Sequence, residues 1–186
     1  MENQADISLI AACQQGDSRA FREVFQIYRD RIYALCRHMS GNHEDAEDLT
    51  QEVFVSAFRN IGGFRAESAF GTWLYRIAAN RCKAELRKRS PALRSFDEVD
   101  GDQRTPVATT QNPEDHLVRK ELSDRVEAAV GALPEGLRLL FVLGTLEGMR
   151  YREISEIAGC SEDAVKMRIH RARKRVRDAL KPYLRA

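Results

Sequence analysis

Proline is scarce in this chain, with 5 among 186 residues, and three of them (Pro91, Pro106 and Pro113) fall close together. Outside that stretch little interrupts an i→i−4 hydrogen-bond ladder, and helix formers dominate, so an all-α fold is expected. No run of eighteen apolar residues occurs, which excludes an ordinary membrane-spanning helix. The opening residues, Met1 to Cys13, lack a basic flank followed by a long apolar stretch, so no secretory leader is read there and cytoplasmic residence is expected. The four cysteines (Cys13, Cys36, Cys82 and Cys160) are scattered without a CxxC pair. Each lies at or beside an apolar helical position, which points to reduced core or boundary thiols. Cys36 and His38 have no second ligand pair to accompany them, so neither a metal nor another cofactor is expected. Nothing has the form of a phosphate-binding loop, and no catalytic residues are assigned.

What is abundant is charge, at 31% of residues, with a formal net charge of only +2. Its distribution is uneven. Between Asp97 and Glu127 acids outnumber bases, whereas after Cys160 nine bases face only Glu162, Asp163 and Asp178. A second basic run, Arg81, Lys83, Arg87, Lys88 and Arg89, closes the N-terminal half. Two basic clusters separated by an acidic middle fit two contact sites on one polyanion.

Periodicity places these clusters. A short helix is expected over Ile7 to Gln14, then a longer one capped by Asp17 or Ser18, with the stripe Phe21, Phe25, Tyr28, Ile32, Leu35 and Met39. Gly41-Asn42 ends it and Asn42 caps the next, whose stripe is Ala46, Leu49, Val53, Ala57 and Ile61 with Phe54 and Phe58 alongside. Gly62-Gly63 breaks that helix, and another begins near Phe70, burying Trp73, Leu74, Ile77, Ala78, Cys82 and Leu86. Trp73 lies on the apolar stripe and is read as a core anchor before a stacking platform for a base. From Pro91 to about Pro113 the period dissolves, as in a flexible linker between two domains. The expected division is residues 1–92, a linker over 93–115, and a second helical domain over 116–186.

In the second half, periodicity returns with Leu117, Leu122, Val126 and Val130, restarts at Leu133-Pro134-Glu135, and continues through Leu137, Leu140, Phe141 and Leu143. A short helix with inward Ile154, Ile157 and Ala158 then meets Gly159-Cys160, and Ser161 caps a long basic helix. This order is a helix-turn-helix signature. Val165, Ile169, Ala172, Val176 and Leu180 share one face of the last helix. At 100° per residue Met167, His170, Arg171 and Lys174 point the other way, the division a DNA-reading helix needs.

The stretch from Asp45 to Arg89 (DAEDLTQEVFVSAFRNIGGFRAESAFGTWLYRIAANRCKAELRKR) and the stretch from Leu133 to Leu180 resemble the second and fourth conserved regions of extracytoplasmic-function (ECF) sigma factors, in the sigma-E group of the sigma-70 superfamily. Nothing resembles the third region of larger sigma factors. The resemblance implies a factor that binds core RNA polymerase, recognises minus-ten and minus-thirty-five promoter elements and promotes strand opening, without being an enzyme. It assigns Asp48, Leu49, Gln51, Glu52 and Phe54 to the clamp helices of the largest polymerase subunit, with a further contact to the beta flap. It assigns Phe64, Arg65, Ser68, Arg76, Asn80, Arg81, Lys83 and Arg87 to the melted nontemplate strand. Lys166, Met167, Arg168, His170, Arg171 and Arg173 fall to the duplex minus-thirty-five element. It also implies an anti-sigma partner, often membrane-anchored. This chain departs from the family's Gly-Thr-Val entry to the last helix with Asp163-Ala164-Val165, and Met167 fills a slot that is commonly small and polar. Two other readings stay open at this stage: an autonomous helix-turn-helix regulator, and a helical adaptor without DNA binding.

Overall fold

A computed structural model describes residues 2–89 and 124–183, so the expected linker over 93–115, with Leu117 and Leu122 beyond it, lies outside the described residues. The described part is built of helices: α1 (Glu2–Gln14), α2 (Ser18–Ser40), α3 (His43–Asn60), a 3-10 turn (Ile61–Gly63) and α4 (Phe70–Arg89) in the first half. The second half holds α5 over residues 124–131, α6 (Glu135–Phe141), a π-helical turn (Val142–Leu146), α7 (Tyr151–Ala158) and α8 (Glu162–Leu180). Helix α1 begins five residues before the periodicity announces it.

Caps explain several boundaries. Asp17 accepts from the Arg19 amide at 2.7 Å, and Asn42 accepts from the Asp45 amide at 2.9 Å. Each satisfies one donor left over at a helix start. Gly41 stops α2 at φ 85°, and Gly159 stops α7 at φ 69°, left-handed conformations that a Cβ disfavours.

In the first half, α2 packs along α3, and both meet α4. The expected stripes are core: Ile32, Leu35, Val53 and Leu74 are fully buried. An aromatic seam runs beside them, with Phe25 edge-on to Phe54 at 4.8 Å and Tyr28 edge-on to Phe70 at 5.6 Å. Cys36 and Cys82 meet in this core with their sulfurs 3.9 Å apart, and all four cysteines are free.

In the second half, α8 packs across α6 and α7. Val165, Ile169, Ala172 and Val176 are buried as the periodicity requires. The π-helical turn was not foreseen. Gly144 in that turn lies so close to Ile169 that a Cβ would collide with the isoleucine side chain, so close helix approach requires glycine there.

The halves do not stand apart. Helix α7 lies against α4, and α6 touches α2. Arg138 of α6 donates to the Met39 carbonyl at 3.0 Å, one of the carbonyls left without an intrahelical partner at the end of α2. Arg37 pairs with Glu127 at 3.0 Å. The buried Tyr75 hydroxyl donates to the Glu147 carboxylate at 2.5 Å, and the same oxygen takes Arg31 at 3.4 Å. The two helical clusters are thus in direct contact.

Candidate nucleic-acid and polymerase interfaces

Three surfaces carry the residues singled out from sequence. The first is one face of α3. Asp48, Gln51 and Glu52 are exposed there, but Leu49 and Phe54 are 5% and 3% exposed and belong to the core. Those two side chains set the position of the helix and offer a partner almost no surface. In their place stands Val55, 48% exposed, at i+3 from Glu52 and i+7 from Asp48. An apolar residue at polar spacing was the available signal for it. Ile27 on α2 is equally exposed and was likewise missed.

The second surface is a cleft of about 320 Å³ lined by Gly63, Phe64, Arg65, Glu67, Ser68, Trp73 and Arg76. This volume is at the low end for a small-ligand site. Its apolar wall is a ring cluster, with Phe64 5.4 Å from Trp73 and 5.5 Å from Phe70. Trp73 thus does two things: it packs on Phe70 at 5.4 Å and lines the cleft. The loop is fixed from outside the cleft, because Gln14 of α1 donates to the carbonyls of Ile61 at 3.0 Å and Phe64 at 2.9 Å. Nothing in the local pattern singled out Gln14, since its partners lie nearly fifty residues away. Ala66 adopts φ 55°, a left-handed conformation that costs a non-glycine residue about 1–3 kcal/mol and is typical of functional loops.

From the cleft, Arg76, Asn80 and Arg81 continue exposed along α4. Arg81 pairs with Glu52 at 3.7 Å. Lys83 is turned elsewhere. It is half-buried against the second half, where burial lowers its pKa while the facing Glu135 carboxylate opposes that shift. Arg87 is exposed and also acts on Glu135. At the end of the helix Arg89 bonds Asp45, which pulls that carboxyl down to about 2.

The third surface is the outer face of α8. Lys166, Met167, His170 and Arg171 are exposed, Met167 by 68%, while Arg168 is half-buried. Ser161 caps the helix by accepting from the Ala164 amide at 3.2 Å, so the unusual Asp163-Ala164 entry leaves the cap intact. Arg173 bends back to the π-helical turn, with Nε 3.0 Å from Thr145 Oγ1 and Nη2 3.2 Å from the Gly144 carbonyl. Its observed partners are within the protein, so its first effect is to position α8.

Among the described residues no cluster of His, Cys, Asp and Glu could hold a metal ion, and no helix is long and apolar enough to cross a membrane.

This arrangement, a helical bundle with a cleft beside a basic helix and a helix-turn-helix with a basic outer face, defines a sigma-70-type protein. Residues 24–91 match Sigma-70 region 2 and residues 123–176 match Sigma-70, region 4. The chain is 38% identical over 177 residues to the ECF RNA polymerase sigma factor SigW of Bacillus subtilis, covering 92% of this chain and 95% of that one. It is 34% identical to the RNA polymerase sigma-H factor of Pseudomonas aeruginosa, covering 100% and 98%. It is 33% identical to the ECF RNA polymerase sigma-E factor of Escherichia coli K12, covering 99% and 98%. In three dimensions it is similar to CnrH, solved in complex with the cytosolic domain of CnrY, with TM-score 0.72 and 27% identity over 96% of this chain and 98% of that one. The sigma factor RpoE of Bartonella quintana, solved with the anti-sigma factor NepR, shares the fold at TM-score 0.66 and 24% identity, covering 87% and 96%. The chain belongs to the ECF sigma factors of the sigma-70 superfamily. It is an all-α protein of two helical clusters that works by binding core RNA polymerase and recognising promoters, and it is not itself an enzyme. The regulator and adaptor readings fall away.

Proposed function

We propose that this sigma factor divides its work among the three surfaces. The exposed face of α3, with Asp48, Gln51, Glu52 and Val55, docks on the clamp helices of the largest polymerase subunit, Leu49 and Phe54 holding that face from below. Carboxylates beside exposed apolar groups suit a basic protein partner. The cleft between Phe64, Arg65, Ser68 and Trp73 takes a base flipped out of the nontemplate strand. Arg76, Asn80, Arg81 and Arg87 carry the strand backbone along α4, with the half-buried Lys83 beside them. Capture of unstacked bases drives opening without nucleotide hydrolysis. The outer face of α8 enters the major groove of the minus-thirty-five element. Lys166, His170 and Arg171 address bases or adjacent phosphates there, Met167 lies among them, and Arg168 and Arg173 serve phosphates or hold the helix. The beta flap is a second polymerase contact.

One observation carries this reading: a cleft continuous with an exposed basic helix face, and a separate exposed basic helix, on the same chain. An anti-sigma partner follows by analogy with the solved sigma–anti-sigma relative, and the site of action is the cytoplasm, where polymerase is. Run-off transcription with purified core polymerase on a promoter library tests the reading. Transcripts that start downstream of a shared two-element motif, and only when this chain is added, are expected. Core polymerase behaving identically with and without the chain would sink it.

A further inference from the structure

The wall of the cleft formed by Gly63, Phe64 and Arg65 is held by a residue that does not line it. Gln14 is the last residue of α1, and its side-chain amide donates to two carbonyls, Ile61 at 3.0 Å and Phe64 at 2.9 Å. These belong to the first residue of the 3-10 turn and to the residue that follows it. The Phe64 amide closes the same turn on the Ile61 carbonyl at 3.0 Å, which has a second lone pair for Gln14. Gln14 is itself firmly mounted. Ile10 and Cys13 of the same helix are 4% and 1% exposed. The corner into α2 is closed by the Gly16 amide on the Cys13 carbonyl at 2.9 Å and the Asp17 amide on the Ala12 carbonyl at 3.1 Å. Gly16 makes that corner at φ 85°, where a side chain would be strained.

Beyond Phe64 the loop is exposed over residues 65–67, and Ala66 sits at φ 55°. A non-glycine residue keeps a left-handed conformation only where its surroundings impose it. Two fixed points flank this stretch on its N-terminal side. One is the Phe64 ring, packed on Phe70 and Trp73. The other is the Phe64 carbonyl: C=O and N–H of a trans peptide point opposite ways, so pinning it on Gln14 also sets the direction of the Arg65 N–H.

We propose that Gln14 is a positioning residue for promoter opening: its two hydrogen bonds pre-set the Phe64 loop in the shape that receives a flipped base. A loop ordered before capture loses less conformational freedom when the base arrives, so more of the stacking energy goes into holding the strand open. Gln14 acts through the loop rather than on the base. It is an exposed side chain, so replacing it removes no core packing. This inference rests on the base-capture reading of the cleft proposed above.

The test uses holoenzyme assembled from purified core polymerase and the full chain. The probe is a fluorescein-labelled promoter fragment from the run-off library, duplex through the upstream element and single-stranded on the nontemplate strand beyond it. An abasic site is moved one position at a time along the single strand. Wild type should lose about tenfold in affinity at one position, where the captured base is missing. Gln14→Glu keeps the shape of the side chain and removes both donors, and there the penalty should shrink to about threefold or less. Gln14→Ala should behave in the same way, and it carries the test should Gln14→Glu fail to fold. Core pull-down, and binding to a duplex that carries only the upstream element, should stay within about twofold of wild type. A penalty of wild-type size in the variants overturns the proposal, even if total binding has fallen, because a merely unstable protein would bind every probe less. Wild type without any sensitive position would overturn base capture in the cleft, and this inference with it.

Discussion

Arg81 of α4 and Glu52 of α3 are ion-paired at 3.7 Å, at the border between the proposed strand-reading surface and the proposed polymerase-facing one. Both side chains are about half exposed, so the pair itself contributes only about 0–1 kcal/mol. The register of the two faces is set instead by the packing of α3 on α4.

Charge reversal on the proposed polymerase-facing side exploits that weakness. Asp48→Lys with Glu52→Lys should fold, with a melting temperature within a few degrees of wild type, because both side chains are exposed. It should no longer pull down core polymerase. Retention of core at wild-type levels would remove α3 from that interface.

The proposed duplex-reading face should behave in the opposite way. Arg171→Ala removes an exposed donor from the middle of α8 and should weaken promoter-dependent initiation by about 1–3 kcal/mol in apparent affinity, while core pull-down is unchanged. Loss of core binding in that variant would contradict the assignment.

The mount of α8 can be loaded directly. Gly144→Ala pushes a Cβ into the buried side chains of Ile169 and Ile154, an overpacking that costs about 1–3 kcal/mol. Thermal melting should fall by about 2–4 °C for each kcal/mol in a chain of this size. Arg173→Ala removes the side-chain contacts to the same turn and should also lower the melting temperature. A variant with full stability and only reduced DNA affinity would make Arg173 purely a phosphate contact.

Acid should act through Asp45. Its pKa is pulled down to about 2, first by the Arg89 hydrogen bond and then by Asn42, from an unfolded value near 3.9. A depressed carboxyl stabilises the fold at pH values above the unfolded pKa and loses that contribution as pH falls through the folded one. The melting-temperature gap between wild type and Asp45→Asn should therefore be full at pH 5 and shrink between about pH 4 and pH 2. A gap that is constant over this range would show that the Arg89 contact does not form.

Most helices were legible in the sequence because each buries one stripe, and α2, α3 and α8 also follow a residue whose side chain caps them. Asn42 and Ser161 show this most plainly, since both sit one residue ahead of a helix and accept the expected amide. The helix-turn-helix was equally legible, because a short helix, a left-handed glycine, a capping serine and a base-rich amphipathic helix follow one another there. Contacts made between distant segments were not. Gln14 holding the Phe64 loop, and Glu147 meeting Tyr75, join residues 50 and 72 positions apart, and no local period reports such pairs. Lys83 shows the same limit from the other side. Its spacing on α4 groups it with the basic residues, and only the packing of the second half reveals that Glu135 faces it. Leu49 and Phe54 satisfied both a family motif and a core stripe, and burial decided in favour of the core.

The turn at Val142–Leu146 can also be considered as a matter of chain length. It closes with the Glu147 amide on the Val142 carbonyl at 2.9 Å, five residues apart where an ordinary helix spans four. The surplus residue falls in the last turn before residues 147–150, where Gly148 at φ 64° leads the chain into α7. Deleting a single residue there would shorten the arm that carries α7 and α8 away from α6, and so would shift where both helices sit with every one of their side chains intact.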